Sequence, residues 1–257
     1  MTARGAALAL LVAIYVACLI LAPSGSLAML EPHVALLSPR LAHPLGTDDL
    51  GRDMLAALLQ AGRTSLTVAT VATGLALLIG VLVGLLAGIV PGWVDEGLMR
   101  VGEITASLPA LLLAVLLAAL FGGSATNLAL LLGLTRWPVI ARIVRMEVRS
   151  LLGREFLRAA WALGASPFQV ARRHLLPHLA GPVMAAAGIV FGGAVVAEAA
   201  LAFVGLGDPA VTSWGQMVAA GFAVLGLGWW MWLWPAAMLV TVSGLVAVAA
   251  SAGEELR

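Results

Sequence analysis

Eight of the fourteen positively charged residues fall between Arg136 and Arg173, and all fourteen are Arg. Within that stretch runs Arg158-Ala159-Ala160-Trp161-Ala162-Leu163-Gly164, followed after nine residues by His174-Leu175-Leu176-Pro177. A polar, helix-prone segment inside an otherwise greasy chain points to docking chemistry rather than to a membrane span. The absence of Lys excludes another chemistry, because a P-loop needs its Lys on the β- and γ-phosphates. Any ATP-driven role therefore requires a partner that hydrolyses the ATP. His174 and His178 stand four apart without the intervening acid of a zinc hydrolase motif and read as polar surface. Four His and one Cys, none clustered at ligand spacing, give no structural zinc site. Cys18 has no internal partner for a disulfide and reads as a small buried or lipid-facing residue.

The elements that position these groups follow from composition. With 62% hydrophobic and 11% charged residues in 257, the chain lies far outside the soluble range. It is read as an all-α, polytopic membrane protein. About 20 apolar residues cross the hydrocarbon core, and six candidate spans appear: 6–22, 65–89, 104–121, 127–143, 183–203 and 229–250. The first also has the look of a signal peptide, with Arg4 before it and Ser26-Leu27-Ala28 as a cleavage site; the further spans favour an uncleaved helix. Gly80, Gly84 and Gly88 line one face of the second, where small residues admit a neighbouring backbone, although Gly is common in membrane helices anyway. Gly122-Gly123-Ser124 divides the third span from the fourth. Trp229, Trp230, Trp232 and Trp234 open the sixth as an interfacial aromatic belt.

That division sets orientation. It puts the Arg-rich segment on the same side as Arg4 and Arg100, as the positive-inside rule requires. Both termini are then cytoplasmic, as are the loops 91–103 and 150–182. Residues 23–63, the Gly122 turn and residues 206–228 face outward. From Arg142 to Leu157, Arg alternates with apolar residues in the manner of a helix lying along the membrane surface. Gly164 reads as a C-cap, Ser166 as an N-cap and Pro167 as a first helical residue. A second helix then runs to about Pro177, making helix, turn, helix.

The run Ala159-Ala160, Gly164 and His174-Leu175-Leu176-Pro177 resembles the EAA loop of permease subunits in ATP-binding-cassette importers. Leu163-Gly164-Ala165-Ser166 and Arg173-His174-Leu175-Leu176-Pro177 are similar to the dipeptide, oligopeptide and nickel branch. Three further segments agree in order. They are His43 to Asp53, Gly92 to Arg100, and Ala197 to Gly207 with Ser213-Trp214-Gly215. The sequence departs from the branch at Arg158, where the family carries Glu, and at Ala56-Ala57, where Ser-Arg often stands. The segment between Gly207 and Ser213 is also short and carries Asp208.

The resemblance implies a MetI-like type I importer permease of six transmembrane helices. Residues 1–60 would form the first helix and an external segment, and 61–257 a five-helix core with the coupling loop. It implies a second homologous permease, two cytoplasmic ATPase subunits holding ATP and Mg, and an extracytoplasmic solute-binding protein. This chain would bind no cofactor, no metal and no nucleic acid, and would sit in a prokaryotic inner membrane. The cargo would be peptides or nickel, free or chelated. Residues Arg158, Ala159, Ala160, Gly164, Ala165, Ser166, His174, Leu176 and Pro177 would couple to the ATPase. Asp48, Asp49, Arg52 and Asp53 either meet the binding protein or form turns and caps. Glu198, a carboxylate in hydrocarbon, either lines the pathway or pairs with a neighbouring helix; Arg136 has the same two options, snorkelling to the interface or meeting substrate.

Two competing functions are weaker. An ion-coupled secondary transporter using Glu198 leaves the coupling loop unexplained. An intramembrane serine protease lacks a base beside Ser166, since no His lies within a span.

Overall fold

In lipid every backbone polar group must be satisfied within the protein, which leaves helices as the solution for a chain of this pattern. The computed structural model describes residues 3–22 and 34–251. Among these residues extended pairing is limited to two isolated bridges, Arg40 with His43 and Thr47 with Asp53. The first helix, α1 (Ala3–Ile20), matches the first expected span. The cleavage-like Ser26-Leu27-Ala28 lies outside the described residues.

Helix α2 (Met54–Ile89) begins well before residue 65 and runs through residues 60 and 61 without a break. Its start is fixed by Asp53, whose Oδ1 accepts from the Leu55 and Ala56 amides, satisfying donors that a helix N-terminus leaves free. At 36 residues it extends roughly 54 Å, longer than a hydrocarbon core of about 30 Å.

The expected third span, 104–121, is broken in two. Helix α3 (Trp93–Ser107) and helix α4 (Ala110–Phe121) meet at an 83° bend across Leu108 and Pro109. Pro109 has no N–H to continue the ladder and forces its predecessor out of the helical region; Leu108 is accordingly extended. With 12 residues, α4 covers only about 18 Å. The division at Gly122 holds: Gly122 takes φ +77, and Ser124 caps the next helix by accepting from the Asn127 amide at 3.1 Å.

Helix α5 (Ala125–Leu152) corrects two expectations together. The fourth span does not stop at residue 143, and Arg142 to Leu152 is not a separate helix on the membrane surface. The stretch continues α5 because Val144, Val148 and Leu151 prolong the buried seam begun by Ile140 and Ala141. That seam faces the glycines of α2. A Cβ at Gly80 would stand 2.6 Å from Ile140 Cβ, one at Gly84 2.7 Å from the Ala141 carbonyl, and one at Gly88 2.6 Å from Val148 Cγ1. Gly133 of α5 reciprocates against Leu75 and the Ala72 carbonyl. Helix association in lipid rests on such close packing, and α2 with α5 forms the most extensive helix pair in the fold.

After Gly153 come α6 (Glu155–Ala162), α7 (Pro167–Val170), a π-helical turn (Ala171–Leu175) and α8 (Leu176–Leu201), which ends in a second π turn (Ala202–Leu206). Pro177 does not end the helix, contrary to expectation. It lies in the first turn of α8, where its missing N–H is tolerated. The Leu176 amide reaches back five residues to the Ala171 carbonyl, a π turn that carries the chain past the proline. Residues 206–228 contain α9 (Trp214–Ala223), and α10 (Trp229–Ser251) follows.

Among the described residues four helices are long and apolar enough to cross a membrane, or five if the bent α3–α4 pair is one span. Counted with the shorter apolar α1, this is compatible with the six spans expected.

Two cores result. One gathers α1, α2, α5, α8, α9 and α10 around Cys18, Met54, Leu66, Leu132, Val195 and Trp214. The other joins α2, α5 and α8 to the segment between them through Val144, Val148, Leu157, Val170 and Leu175. The Trp cluster is divided: Trp229 is half exposed, whereas Trp230 is buried and donates from Nε1 to the Thr47 carbonyl at 2.9 Å.

Candidate functional site

The segment from α6 to the first π turn is an elbow with one face buried and one open. Leu157, Val170 and Leu175 are fully inside the second core, while Leu163 is 89% and Phe168 72% exposed. The turn is built as its residues require. Gly164 takes φ +83, a region nearly free of strain only for glycine. Its amide donates to the Trp161 carbonyl at 2.9 Å, and the Ala165 amide to the Ala160 carbonyl at 3.1 Å, closing the end of α6. Ser166 and Gln169 then exchange bonds: Gln169 N donates to Ser166 Oγ at 3.3 Å, and Ser166 N to Gln169 Oε1 at 2.9 Å. This is a capping box. Arg158 and Ala159 lie within α6.

The two arms of the elbow are held by rings. Phe156 stacks on His178 with centroids 5.7 Å apart and tilts against His174 at 6.1 Å. His178 Nδ1 also lies 2.6 Å from the His174 carbonyl. Leu176 remains partly exposed, and Pro177 follows it in the first turn of α8.

Between α3 and α5 is an ion cluster that sequence reasoning missed. Asp95 of α3 is only 4% exposed and bonds Arg145 through both carboxylate oxygens, with Arg145 Nη2 at 2.7 Å. Arg149 reaches the same carboxylate. The available signal was the four-residue spacing of Arg145 and Arg149, which places both on one helical face. Their buried acid belongs to another helix, so the pairing itself had no local sign.

Glu198 is 2% exposed and accepts from Ser65 Oγ at 2.9 Å. Ser65 Oγ in turn accepts from the Trp214 amide at 3.1 Å, and Trp214 Nε1 donates to the Leu58 carbonyl at 3.0 Å. The carboxylate thus ties α8 to α2 and α9 within one chain.

The acids before α2 separate. Asp53 caps α2 and its Oδ2 lies 2.9 Å from His43 Nδ1. Asp48 is buried; its Oδ1 accepts from the Leu50 and Arg52 amides at 2.9 and 2.8 Å, and its Oδ2 accepts from Arg52 Nε. Asp48, Asp49 and Arg52 line a cavity of about 290 Å³ with Thr212, Gln216 and Met217; Asp53 does not. Asp208, one of the departures, has a structural explanation. Its Oδ2 accepts from the Ala125 amide at 3.0 Å and its Oδ1 from the Ala210 amide at 2.8 Å, placing a negative charge at the start of α5.

Comparison with known proteins agrees with this geometry. The family described as "Binding-protein-dependent transport system inner membrane component" matches residues 80–253. A dipeptide transport system permease protein of Alkalihalophilus pseudofirmus is 32% identical over 220 residues, covering 85% of this chain and 72% of that protein. A putative peptide permease protein of Brucella suis biovar 1 is 34% identical over 206 residues, covering 79% and 68%. A solved structure of a methionine ABC transporter, MetNI, in inward-facing form superposes with a TM-score of 0.64 at 22% identity, over 79% of this chain and 95% of that one. The last likeness concerns the fold alone.

Proposed function

The chain belongs to the binding-protein-dependent transport system inner membrane components, and from that membership we propose that it carries peptides as half of a translocation pathway. It is a non-catalytic, multi-pass permease subunit of an ABC importer; hydrolysis resides on separate subunits. The names of the relatives, dipeptide and peptide permeases, support a peptide cargo. A second homologous permease would complete the pathway, with two ATPase subunits carrying ATP and Mg on the elbow side. A solute-binding protein would dock on the side of Asp48, Asp49 and Arg52. Both termini then lie in the cytoplasm, on the side of the Arg-rich end of α5.

One observation carries the coupling role. The elbow presents Leu163 and Phe168 to solvent while its opposite face is locked into the core by Leu157, Val170 and Leu175. Exposed apolar side chains on a rigid support suit a partner's cleft. A push on α6 and α7 passes into α8 directly and into α5 through the shared core. The glycine seam carries it on to α2, and the Asp95 cluster to α3. Arg158, Ala159, Ala160, Gly164, Ala165, Ser166, His174, Leu176 and Pro177 form or support this surface in our reading. Glu198, enclosed by Ser65 and the α9 start, acts as a structural tie rather than as pathway lining.

The test is co-purification. Leu163→Asp and Phe168→Asp should retain the wild-type melting temperature of the permease and lose the ATPase subunits. Retention of the ATPase by both variants would refute the docking surface.

A further inference from the structure

Arg136 is a cation within the apolar helix α5 that has no hydrogen-bonding or ionic partner among the described residues. It lies 11 residues into α5, roughly 16 Å along the axis of a hydrocarbon core about 30 Å thick. Its guanidinium rests on Gly193, the midpoint of the span 183–203. A Cβ at Gly193 would stand 2.8 Å from Arg136 Nη1, so the glycine leaves the seat that the guanidinium occupies. Among the described residues Arg136 makes no hydrogen bond and no ion pair. Glu198, one and a half turns further along α8, is taken by Ser65. Helical side chains lean toward the N-terminus, so Arg136 leans away from the Arg-rich end of α5 and does not snorkel there.

A guanidinium at this depth faces protein or water, not lipid. Arg136 is half-buried where α5 meets α8 at Gly193, and both helices carry exposed apolar residues, Val139 and Met146 on α5 and Ile189 and Val196 on α8. We propose that Arg136, seated on Gly193, is a substrate-recognition residue that receives the carboxylate of the translocated solute at mid-membrane. The proposal rests on the peptide reading above, since every linear peptide with a free C-terminus offers that group. Arg suits it because its planar donors engage a carboxylate in pairs.

The experiment uses the complete transporter, with its binding protein, in liposomes. Uptake of alanyl-alanine is compared with uptake of its C-terminal amide. The binding protein is the same throughout, so its own preference cancels when the acid-to-amide ratio is compared between variants. In Arg136→Gln the ratio should fall roughly tenfold or more, the effect of losing a charge-assisted hydrogen bond. Arg136→Lys should keep part of it, and Gly193→Ala should lose it by displacing the guanidinium. An unchanged ratio in Arg136→Gln and Gly193→Ala overturns the proposal while leaving the peptide reading intact. Wild-type uptake of neither compound overturns the peptide reading, and this proposal with it. Failure of Arg136→Gln to co-purify with the second permease assigns the guanidinium to that partner and also overturns it.

Discussion

Gly84→Ala should destabilise this protein although it adds a single methyl group to a helix. The new Cβ would lie 2.7 Å from the Ala141 carbonyl oxygen and 2.7 Å from Val144 Cβ. Ordinary contact begins at 3.4 Å, so α2 and α5 must separate by about 0.7 Å over a tightly packed seam. The carbonyl belongs to the helix backbone and Val144 is β-branched, so neither can rotate aside. Overpacking of this kind costs about 1–3 kcal/mol, equivalent to a fall of roughly 2–12 °C in Tm for a chain of this size. Gly74→Ala is the matched control, because a Cβ there meets nothing within 4 Å. Helix propensity alone should leave its stability unchanged or raise it by up to about 1 kcal/mol. Thermal unfolding of both variants in nanodiscs reads the difference. Equal Tm values for the two variants would refute the seam as the element that joins α2 to α5.

Other residues give separate tests. Asp95→Ala leaves Arg145 and Arg149 facing each other without a counter-charge. It should lower stability by about 1–3 kcal/mol, at the lower end because the two Arg side chains are 26% and 41% exposed; an unchanged Tm would show the cluster to be idle. Glu198→Ala should lose about 1–3 kcal/mol, whereas Glu198→Gln keeps an acceptor for Ser65 and should transport nearly as the wild type does. Loss of uptake in Glu198→Gln at wild-type Tm would instead place the carboxylate in the pathway. Gly164→Asp puts a side chain at φ +83, costing about 1 kcal/mol, and should uncouple ATP hydrolysis from uptake. Intact assembly and uptake in that variant would contradict the coupling role of the elbow.

Local chemistry made much of this legible in the sequence. Gly122 and Ser124 mark a helix end and a helix start wherever they are placed, and the Gly164 turn with its Ser166 cap follows from the backbone preferences of those residues. The breaks and continuations were harder to read. Pro109 and Pro177 are the same residue type, yet the first breaks a helix and the second lies within the first turn of one. What differs is the packing beyond each: Leu175 and Leu179 anchor the helix on both sides of Pro177 in the core. Arg142 to Leu157 looked like a surface helix because its charges alternate with apolar residues, whereas as far as Leu152 it prolongs α5. Its apolar side instead fits the glycine face of α2, and the helix continues along that axis.

By itself the sequence determined the all-helical membrane class, the glycine face of α2, the elbow and its caps, and the need for an ATPase on another chain. These depend on composition, on period and on residues whose conformational limits are intrinsic. Tertiary structure alone decided which partner the charges of the packed helices take. Asp95 meets Arg145 and Arg149, Glu198 meets Ser65, and Arg136 lies over Gly193. The physical reason is distance along the chain: residues 50, 54 and 133 positions apart come together only when helices pack, and no local pattern records which helix will be the neighbour.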